Sequence, residues 1–257
     1  MTTDLAARRA AFRELHESGC FIIPNPWDVG GAKRLEKLGF KAIASTSSGA
    51  AMALGREDGE MSLDEVLAHL RVLCEATDLP VNADFEAGFA DDPQGVATNV
   101  LRAIDTGIAG VSIEDRTGHD LYDIELAVDR MRAAREAVDR SGQNVVLVGR
   151  TEGFLIGRTE LDPTIERLRA YSEAGADCLC APGIRDRAMI AEVVAAVAPK
   201  PVNVLLSTTD LTVPELASLG VRRVSVGGAL AKAVWQRFDE VAKSLLEKGT
   251  LQQRSPA

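Results

Sequence analysis

The stretch VNADFEAGF, residues 81–89, shows how this chain is built. It begins as a short apolar run of the kind found in buried strands and ends in two acids, Asp84 and Glu86. The next segment, residues 93–107 (PQGVATNVLRAIDTG), has the apolar spacing of a helix. Residues 108–115 (IAGVSIED) again have the pattern of a strand that ends in acids. The region is therefore predicted to form a strand–helix–strand unit.

The same alternation runs through the whole chain. Eight strand–helix units follow an opening helix, and their apolar strands suit a parallel sheet covered on both faces. Eight units in about 250 residues is the size of an α/β (β/α)₈ TIM barrel. A doubly wound open sheet is the alternative, although no GxGxxG follows the first strand. No Pro- or Ser-rich linker divides the pattern, so we expect a single (β/α)₈ barrel domain over residues 1–257, with an N-terminal helix and a polar tail at about residues 248–257.

Composition and charge exclude several classes of function. Apolar residues make up 46% of the chain and charged residues 26%, which is ordinary for a soluble globular protein. The net charge of −9 argues against a nucleic-acid partner held through phosphates. Neither a signal peptide nor a membrane span is visible, so we expect no membrane partner and a cytoplasmic location. The four cysteines lack zinc-site spacing and are expected to be small buried residues.

In a barrel of this kind the active site lies where the strands end. Asp84 and Glu86 are two residues apart, so both side chains leave the same face of their strand. Glu114 ends the neighbouring strand. Three crowded carboxylates repel one another unless a cation joins them, and Mg²⁺ prefers oxygen ligands. The sequence therefore predicts a Mg²⁺ site, the alternative being acids on solvated loops that cap the next helices.

Other strand ends carry groups suited to an anionic substrate. A guanidinium at Arg150 can hold a carboxylate or phosphonate through two parallel hydrogen bonds, although it could also pair with the same acids. Small hydroxyl residues at 46–48 stand where a helix could begin, which suits an anion. His119 and Tyr122 are candidates for proton transfer, with a loop role for His119 as the alternative. The predicted substrate-binding residues are Trp27, Thr46, Ser47, Ser48, Arg150 and Asn203.

These motifs resemble the isocitrate lyase and phosphoenolpyruvate mutase superfamily over roughly residues 10–245. The matching stretches are GFKAIASTSSGAA (39–51), GREDGEMSLDEV (55–66), LPVNADFEAGF (79–89), GVSIED (110–115), GRTEGF (149–154) and YSEAGAD (171–177). The resemblance implies a (β/α)₈ barrel that binds magnesium and makes or breaks a C–C or P–C bond next to a 2-oxo carboxylate, through an enolate-like intermediate. It also implies a homo-oligomer, dimer or tetramer, in which the last helix is exchanged between subunits.

The resemblance assigns roles to individual positions. By position, Asp58, Asp84, Glu86 and Glu114 match the metal-site acids of the superfamily, and Arg150 matches its substrate-binding arginine. Residues 46–48 match the short segment that holds the substrate carboxylate.

Three departures leave the reaction open. Lyases of the superfamily carry a catalytic cysteine loop after strand four, where this chain has RTGHDLYD (116–123), and a glutamate after strand six, where this chain has APG (181–183). The longer gating loop of mutases and phosphonopyruvate hydrolases is also missing. We therefore expect a Mg²⁺-dependent carbon–carbon lyase acting on a small 2-oxo or hydroxy di- or tricarboxylate. The alternatives are an oxaloacetate decarboxylase or phosphonopyruvate hydrolase activity, and a non-catalytic 2-oxo acid binding protein.

Overall fold

The structure, a computed structural model, describes residues 4–207 and 210–251. Its strands are β1 Phe21–Ile23, β2 Ile43–Ala44, β3 Val81–Asp84, β4 Gly110–Glu114, β5 Arg116–Thr117, β6 Asp120–Leu121, β7 Val146–Arg150, β8 Cys178–Cys180, β9 Val202–Leu205 and β10 Arg223–Ser225. Eight of them form one parallel sheet in the order β1-β10-β9-β8-β7-β4-β3-β2, while β5 and β6 form an antiparallel hairpin. The Ala44 N–H donates to the Pro24 carbonyl (3.0 Å), which links the two ends of the sheet. The predicted (β/α)₈ barrel is confirmed.

Helices follow the barrel strands and cover the outside of the sheet. They are α1 Leu5–Glu14, α2 Val29–Lys37, α3 Ser47–Ala53, α4 Leu63–Ala76, α5 Pro93–Ile104, α6 Ile124–Ser141, α7 Leu161–Glu173, α8 Arg187–Val197, α9 Val213–Ser218 and α10 Ala229–Lys248. Sequence signals set several ends: Ser62 and Glu65 form a capping box at the start of α4, and Gly142 ends α6 in the left-handed conformation.

The N-terminal helix α1 closes the amino-terminal end of the barrel. Phe12 is fully buried and packs with the strand residues that point into the barrel. A Cβ at position 110 would lie 2.6 Å from the Phe12 ring and 2.6 Å from the Asn82 amide oxygen, so only glycine fits at this close approach. The N-terminal helix expected from the sequence thus has a structural role at the end opposite the polar strand ends.

Some elements differ from the sequence expectation. The hairpin β5–β6 and a 3₁₀ turn at Gly153–Ile156 were not predicted, because each is too short to show a hydrophobic period. The polar tail lies largely outside the described residues, and α10 ends at Lys248. All four cysteines are free: Cys20 is half-buried and the other three are buried. In the described part of the chain, no helix has both the length and the apolar character needed to cross a membrane.

Candidate active site

Two adjoining clefts open at the carboxyl ends of the barrel strands. The first, the acidic cleft, has a volume of about 680 Å³. It is lined by Ser47, Glu57, Asp58, Gly59, Glu86, Ala87, Phe89, Ala90, Asp91, Glu114, Arg116, Thr117, Gly118, Tyr122, Arg150 and Glu152. Six acids therefore face two arginines in this cleft.

The second, the basic cleft, has a volume of about 360 Å³ and reaches into the barrel. Its charged lining residues are Asp58, Asp84, Arg116, Arg150, Glu152, Arg185, Arg223 and Lys232. Five cations therefore face three acids. Ser47, Asp58, Arg116, Arg150 and Glu152 line both clefts and form the wall between them.

Arg150 is the centre of that wall. Its guanidinium donates to Asp84 Oδ1 (2.7 Å) and pairs with Glu114. Its Nε lies 2.8 Å from Glu152 Oε1, close enough for an ion pair although neither atom makes an aligned hydrogen bond. Burial opposes the charge of Arg150, but Glu152 and Asp84 outweigh burial and raise its pKa. One cation is thus shared by three carboxylates.

Asp84 is held in a fixed orientation by α3. The Ser47 N–H (2.9 Å) and the Ser47 hydroxyl (3.0 Å) both donate to Asp84 Oδ2. Thr46 caps α3 by accepting from the Gly49 N–H (3.2 Å). Burial works to raise the pKa of Asp84, but Arg150 and Ser47 outweigh it, so the pKa is lowered and the carboxylate stays ionised.

Two acids of the acidic cleft, Glu86 and Asp58, have less support than Asp84. Burial, together with the charges of Asp84 and Asp58, raises the pKa of Glu86 to about 7. Its Oε1 is buried without a hydrogen-bond partner. Burial and the charge of Asp84 also raise the pKa of Asp58, although the Ser47 hydroxyl opposes the shift. Uncompensated negative charge therefore concentrates around Glu86 and Asp58.

The loop that carries Glu86 has a strained backbone and is held by hydrogen bonds from Arg130. Glu86 has φ 46° and Phe89 φ 55°, a region that non-glycine residues rarely adopt. Arg130, fully buried in α6, donates to the carbonyls of Ala87, Ala90 and Asp91. Arg130 therefore fixes the loop that turns Glu86 into the acidic cleft.

The acids suit a hard divalent cation as a set of donors, because all four offer oxygen and Glu86 Oε1 has no partner. Among the described residues, however, no three Asp, Glu, His or Cys side chains converge closely enough to hold a metal as they stand. The reason is that Asp84 and Glu114 are turned towards Arg150. A cation could use this set only if Arg150 releases them.

The predicted substrate-binding residues are brought together in part. Thr46, Ser47, Ser48 and Asn203 line the basic cleft. The Asn203 amide is tied into the barrel, donating to Ser225 Oγ (3.0 Å) and Cys180 Sγ (3.1 Å). Trp27 is half-buried and lies against Gly49, outside the described lining of both clefts.

The two candidates for proton transfer differ in position. His119 is exposed in the turn of the β5–β6 hairpin and lies outside the described lining of both clefts. Tyr122 lines the acidic cleft, but its hydroxyl donates to Asp91 (2.5 Å) and its ring lies 4.1 Å from the Arg130 guanidinium. Burial and Asp91 raise the pKa of Tyr122. Its contacts are those of a residue that fixes the loop.

The sequence did not single out several residues that line the clefts. Asn82 and Arg223 lie inside the barrel, and their alternation with Asp84 and Ser225 along their strands was a usable signal. Arg185 lies in the loop between β8 and α8 and Lys232 in the first turns of α10, and the two share no local pattern. Only the closure of the barrel brings them to one cleft.

Comparison with known proteins places the chain among enzymes. A family model described as phosphoenolpyruvate phosphomutase matches residues 12–246. The chain belongs to the phosphoenolpyruvate phosphomutase family. The prediction of membership in the isocitrate lyase and phosphoenolpyruvate mutase superfamily, whose members are carbon–carbon lyases and mutases, is confirmed.

Several known proteins are similar to this chain over most of their length. The chain is 32% identical to 2-methylisocitrate lyase of Escherichia coli K12, over 84% of this chain and 76% of that lyase. It is also 32% identical to an oxaloacetate decarboxylase of Bradyrhizobium diazoefficiens, over 94% and 86% of the two chains. A solved structure from Burkholderia cenocepacia J2315, provisionally named a lyase/mutase, is 45% identical with a TM-score of 0.94, over 99% and 95% of the two chains.

Proposed function

We propose that this protein is a Mg²⁺-dependent enzyme of the lyase type that acts on a small 2-oxo or hydroxy di- or tricarboxylate through an enolate-like intermediate. The observation that carries the proposal is that two clefts of opposite charge meet at Arg150, which lines both and forms ion pairs with Asp84 of the basic cleft and Glu114 of the acidic cleft. A cation suits the acidic side of Arg150 and a carboxylate suits the basic side.

Each side has a distinct role in the proposed reaction. Arg150 would bind the substrate carboxylate, helped by Ser47 and Ser48 at the start of α3. Asp84, Glu86, Glu114 and Asp58 would hold Mg²⁺, which supplies a Lewis acid beside the 2-oxo group. The charge that develops on the oxygen of an enolate would then lie between Arg150 and the acidic cleft, where a cation stabilises it.

A decarboxylase is the second candidate, supported by the similarity to an oxaloacetate decarboxylase over 94% of this chain. Loss of CO₂ from a 2-oxo dicarboxylate leaves the enolate of a 2-oxo acid, whereas carbon–carbon cleavage of a hydroxy tricarboxylate leaves a carbanion delocalised into a carboxylate. Both place new negative charge on oxygen, so groups that stabilise such charge would serve either reaction. A phosphonopyruvate hydrolase and a non-catalytic 2-oxo acid binder are alternatives that turnover assays would separate.

The first test is ligand binding by calorimetry with oxalate, a stable mimic of the enolate of a 2-oxo acid, with and without Mg²⁺. We expect oxalate to bind only when Mg²⁺ is present, and Asp84→Asn to abolish that binding. Asp129→Asn, which removes an exposed acid paired with Arg132, is the matched control and should leave binding unchanged. Oxalate binding that is independent of both Mg²⁺ and Asp84 would refute the proposed site.

Turnover then separates the candidate reactions. The wild-type protein with Mg²⁺ is incubated with oxaloacetate and with 2-methylisocitrate-type hydroxy tricarboxylates, and products are followed by NMR. Release of CO₂ and pyruvate from oxaloacetate identifies a decarboxylase, whereas cleavage of a hydroxy tricarboxylate into a 2-oxo acid and a dicarboxylate identifies a lyase for such substrates. Binding of oxalate without turnover of any substrate would favour the non-catalytic alternative.

We also propose that the protein is a homo-oligomer formed through α10. Leu230, Val234, Phe238 and Leu245 recur at helical spacing along this helix, and all four are exposed, Phe238 by 60%. Light scattering after gel filtration should give a mass above that of one chain. Phe238→Glu should lower the mass, whereas Val72→Glu, at an exposed apolar residue of α4, should not.

A further inference from the structure

The basic cleft has more cations in its lining than are needed to balance its three acids. Asp84 and Glu152, two of its three acids, are both paired with Arg150. The third, Asp58, lies among the opposing charges of Arg150 and Arg116. Arg185, Arg223 and Lys232 therefore face the cleft without an acid of their own in its described lining. Because the whole chain carries a net charge of −9, this local excess runs against the global sign.

Arg185 and Lys232 differ from neighbouring cations because their side chains have no partner among residues 4–207 and 210–251. Within the described residues neither side chain forms an ion pair or a hydrogen bond. Arg187, two residues beyond Arg185, shows the usual arrangement: it donates to Glu215 (3.0 Å) and to the Asp210 carbonyl (2.7 Å). The side chain of Arg185 is thus free to meet a ligand, whereas the side chain of Arg187 is held on the surface.

Lys232 lies close to the start of α3, next to the residues that hold Asp84. Its Cε lies 3.7 Å from the point where a Cβ at position 228 would stand, and Ser48 Oγ lies 2.6 Å from the same point. The adjacent Ser47 hydroxyl donates to Asp84. Lys232 and Arg150 therefore stand on the same cleft, separated by the first residues of α3.

Arg223 adds to the positive potential from inside the barrel. It is buried, and its guanidinium donates to the amide oxygens of Asn203 (3.0 Å) and Asn82 (3.3 Å). No described carboxylate forms an ion pair with it. A charge that is only solvated by amides in a low-dielectric interior acts over a longer range than an exposed one.

We propose that Arg185 and Lys232 bind a second carboxylate of the substrate, at the end remote from Arg150. This inference rests on the proposed function and narrows its substrate class to a compact dicarboxylate. The carboxylate next to the reacting carbon would bind Arg150, and the remote carboxylate would bind Arg185 and Lys232. The cleft volume of about 360 Å³ lies at the small end of the range for ligand sites, ~300–1,000 Å³, which suits a chain of a few carbons. Recognition of a remote charge would position the reacting end.

The test compares ligands that differ only in the remote group. Calorimetry with Mg²⁺ present measures 2-oxoglutarate against 2-oxopentanoate and malate against 2-hydroxybutyrate, with oxalate as the ligand that has no remote group. We expect each dicarboxylate to bind about tenfold or more tightly than its monocarboxylate partner. In the variant Arg185→Gln/Lys232→Gln this preference should disappear, while binding of oxalate and of the monocarboxylates stays the same. Unchanged oxalate binding also shows that the variant is folded.

Arg187→Gln is the matched control, because it removes an arginine of the same segment that does not line the cleft; it should keep the preference. A preference that survives in the double variant, or that is absent from the wild type, would overturn the inference and leave the proposed function standing as long as oxalate binds with Mg²⁺. Failure of oxalate to bind would instead remove the proposed function and this inference together.

Discussion

The acidic and basic clefts share a wall of five residues, yet the charges that line them are of opposite net sign. The acidic cleft has an excess of four negative charges, whereas the basic cleft has an excess of two positive charges. In the first, Glu86 has a buried oxygen without a partner and a raised pKa. In the second, Arg185 and Lys232 have no acid. Each cleft therefore lacks the charge that its proposed ligand would bring.

Arg150 links the two clefts, because it lines both and pairs with Asp84 of the basic cleft and Glu114 of the acidic cleft. In the free protein it neutralises Asp84 and Glu114, which the proposed function assigns to Mg²⁺. Binding of a cation there would release the guanidinium towards the basic cleft, where the substrate carboxylate is expected. The comparison predicts that removal of the Arg150 charge has the largest effect, loss of a group that lines a cleft a smaller one, and substitutions outside both clefts the smallest.

Arg150→Met should have the largest effect. Removal of a buried cation shared by three carboxylates leaves their charge uncompensated, and the metal-free protein should lose about 3–5 kcal/mol in its free energy of unfolding. Mg²⁺ should restore part of that loss, so it should raise the melting temperature more in the variant than in the wild type. Arg132→Met, which breaks an exposed pair with Asp129, is the control. Equal Mg²⁺ shifts in all three proteins would contradict competition between Arg150 and the metal.

Glu86→Gln should stabilise the metal-free protein at neutral pH. Because the folded state raises the pKa of Glu86 to about 7 from an ordinary value near 4.5, the folded state keeps a proton that the unfolded state loses. The wild type therefore loses stability relative to the variant as pH rises from about 4.5 to 7, and the difference is complete above pH 7. Urea unfolding in EDTA should show a gain on the order of 1–3 kcal/mol at pH 7.5 and little at pH 4.5.

Glu166→Gln, at an exposed acid of α7, provides the control for Glu86→Gln and should behave like the wild type at both pH values. A gain for Glu86→Gln that does not change with pH would show that burial of the charge is not its cause.

Ser47→Ala should have a moderate effect. The substitution removes the hydroxyl bond to Asp84 but keeps the bond from the backbone N–H, so we expect a loss of about 1 kcal/mol in the free energy of unfolding. Oxalate affinity in the presence of Mg²⁺ should fall several-fold, because Asp84 gains rotational freedom. A change in stability without any change in oxalate affinity would place Ser47 outside the binding site.

His119→Ala should have the smallest effect. The side chain is exposed in the hairpin turn, so the free energy of unfolding should stay within about 0.5 kcal/mol of the wild-type value. Oxalate affinity and any turnover should also be unchanged. A loss of turnover at unchanged affinity would instead show that the hairpin brings His119 to the substrate during the reaction, in the proton-transfer role that the sequence analysis predicted.

The fold could be predicted from sequence because its signals are local and repeated. Capping residues such as Ser62, breakers such as Gly142 and apolar strand runs recur along the chain, and the number of strand runs matches a closed barrel. The same logic found Asp84, Glu86, Glu114 and Arg150, because residues at the ends of parallel strands must meet at one end of the barrel. The role of each of these side chains remains a prediction.

The sequence by itself determined the barrel, the family and the presence of both charge types at the strand ends. Only the tertiary structure decided how those charges are divided. Arg185, in a loop, and Lys232, in α10, lie far apart in sequence, and Arg150 pairs with acids of two other strands. Period and spacing describe one element at a time, whereas pairing and electrostatic excess depend on distances between elements that only closure of the barrel sets.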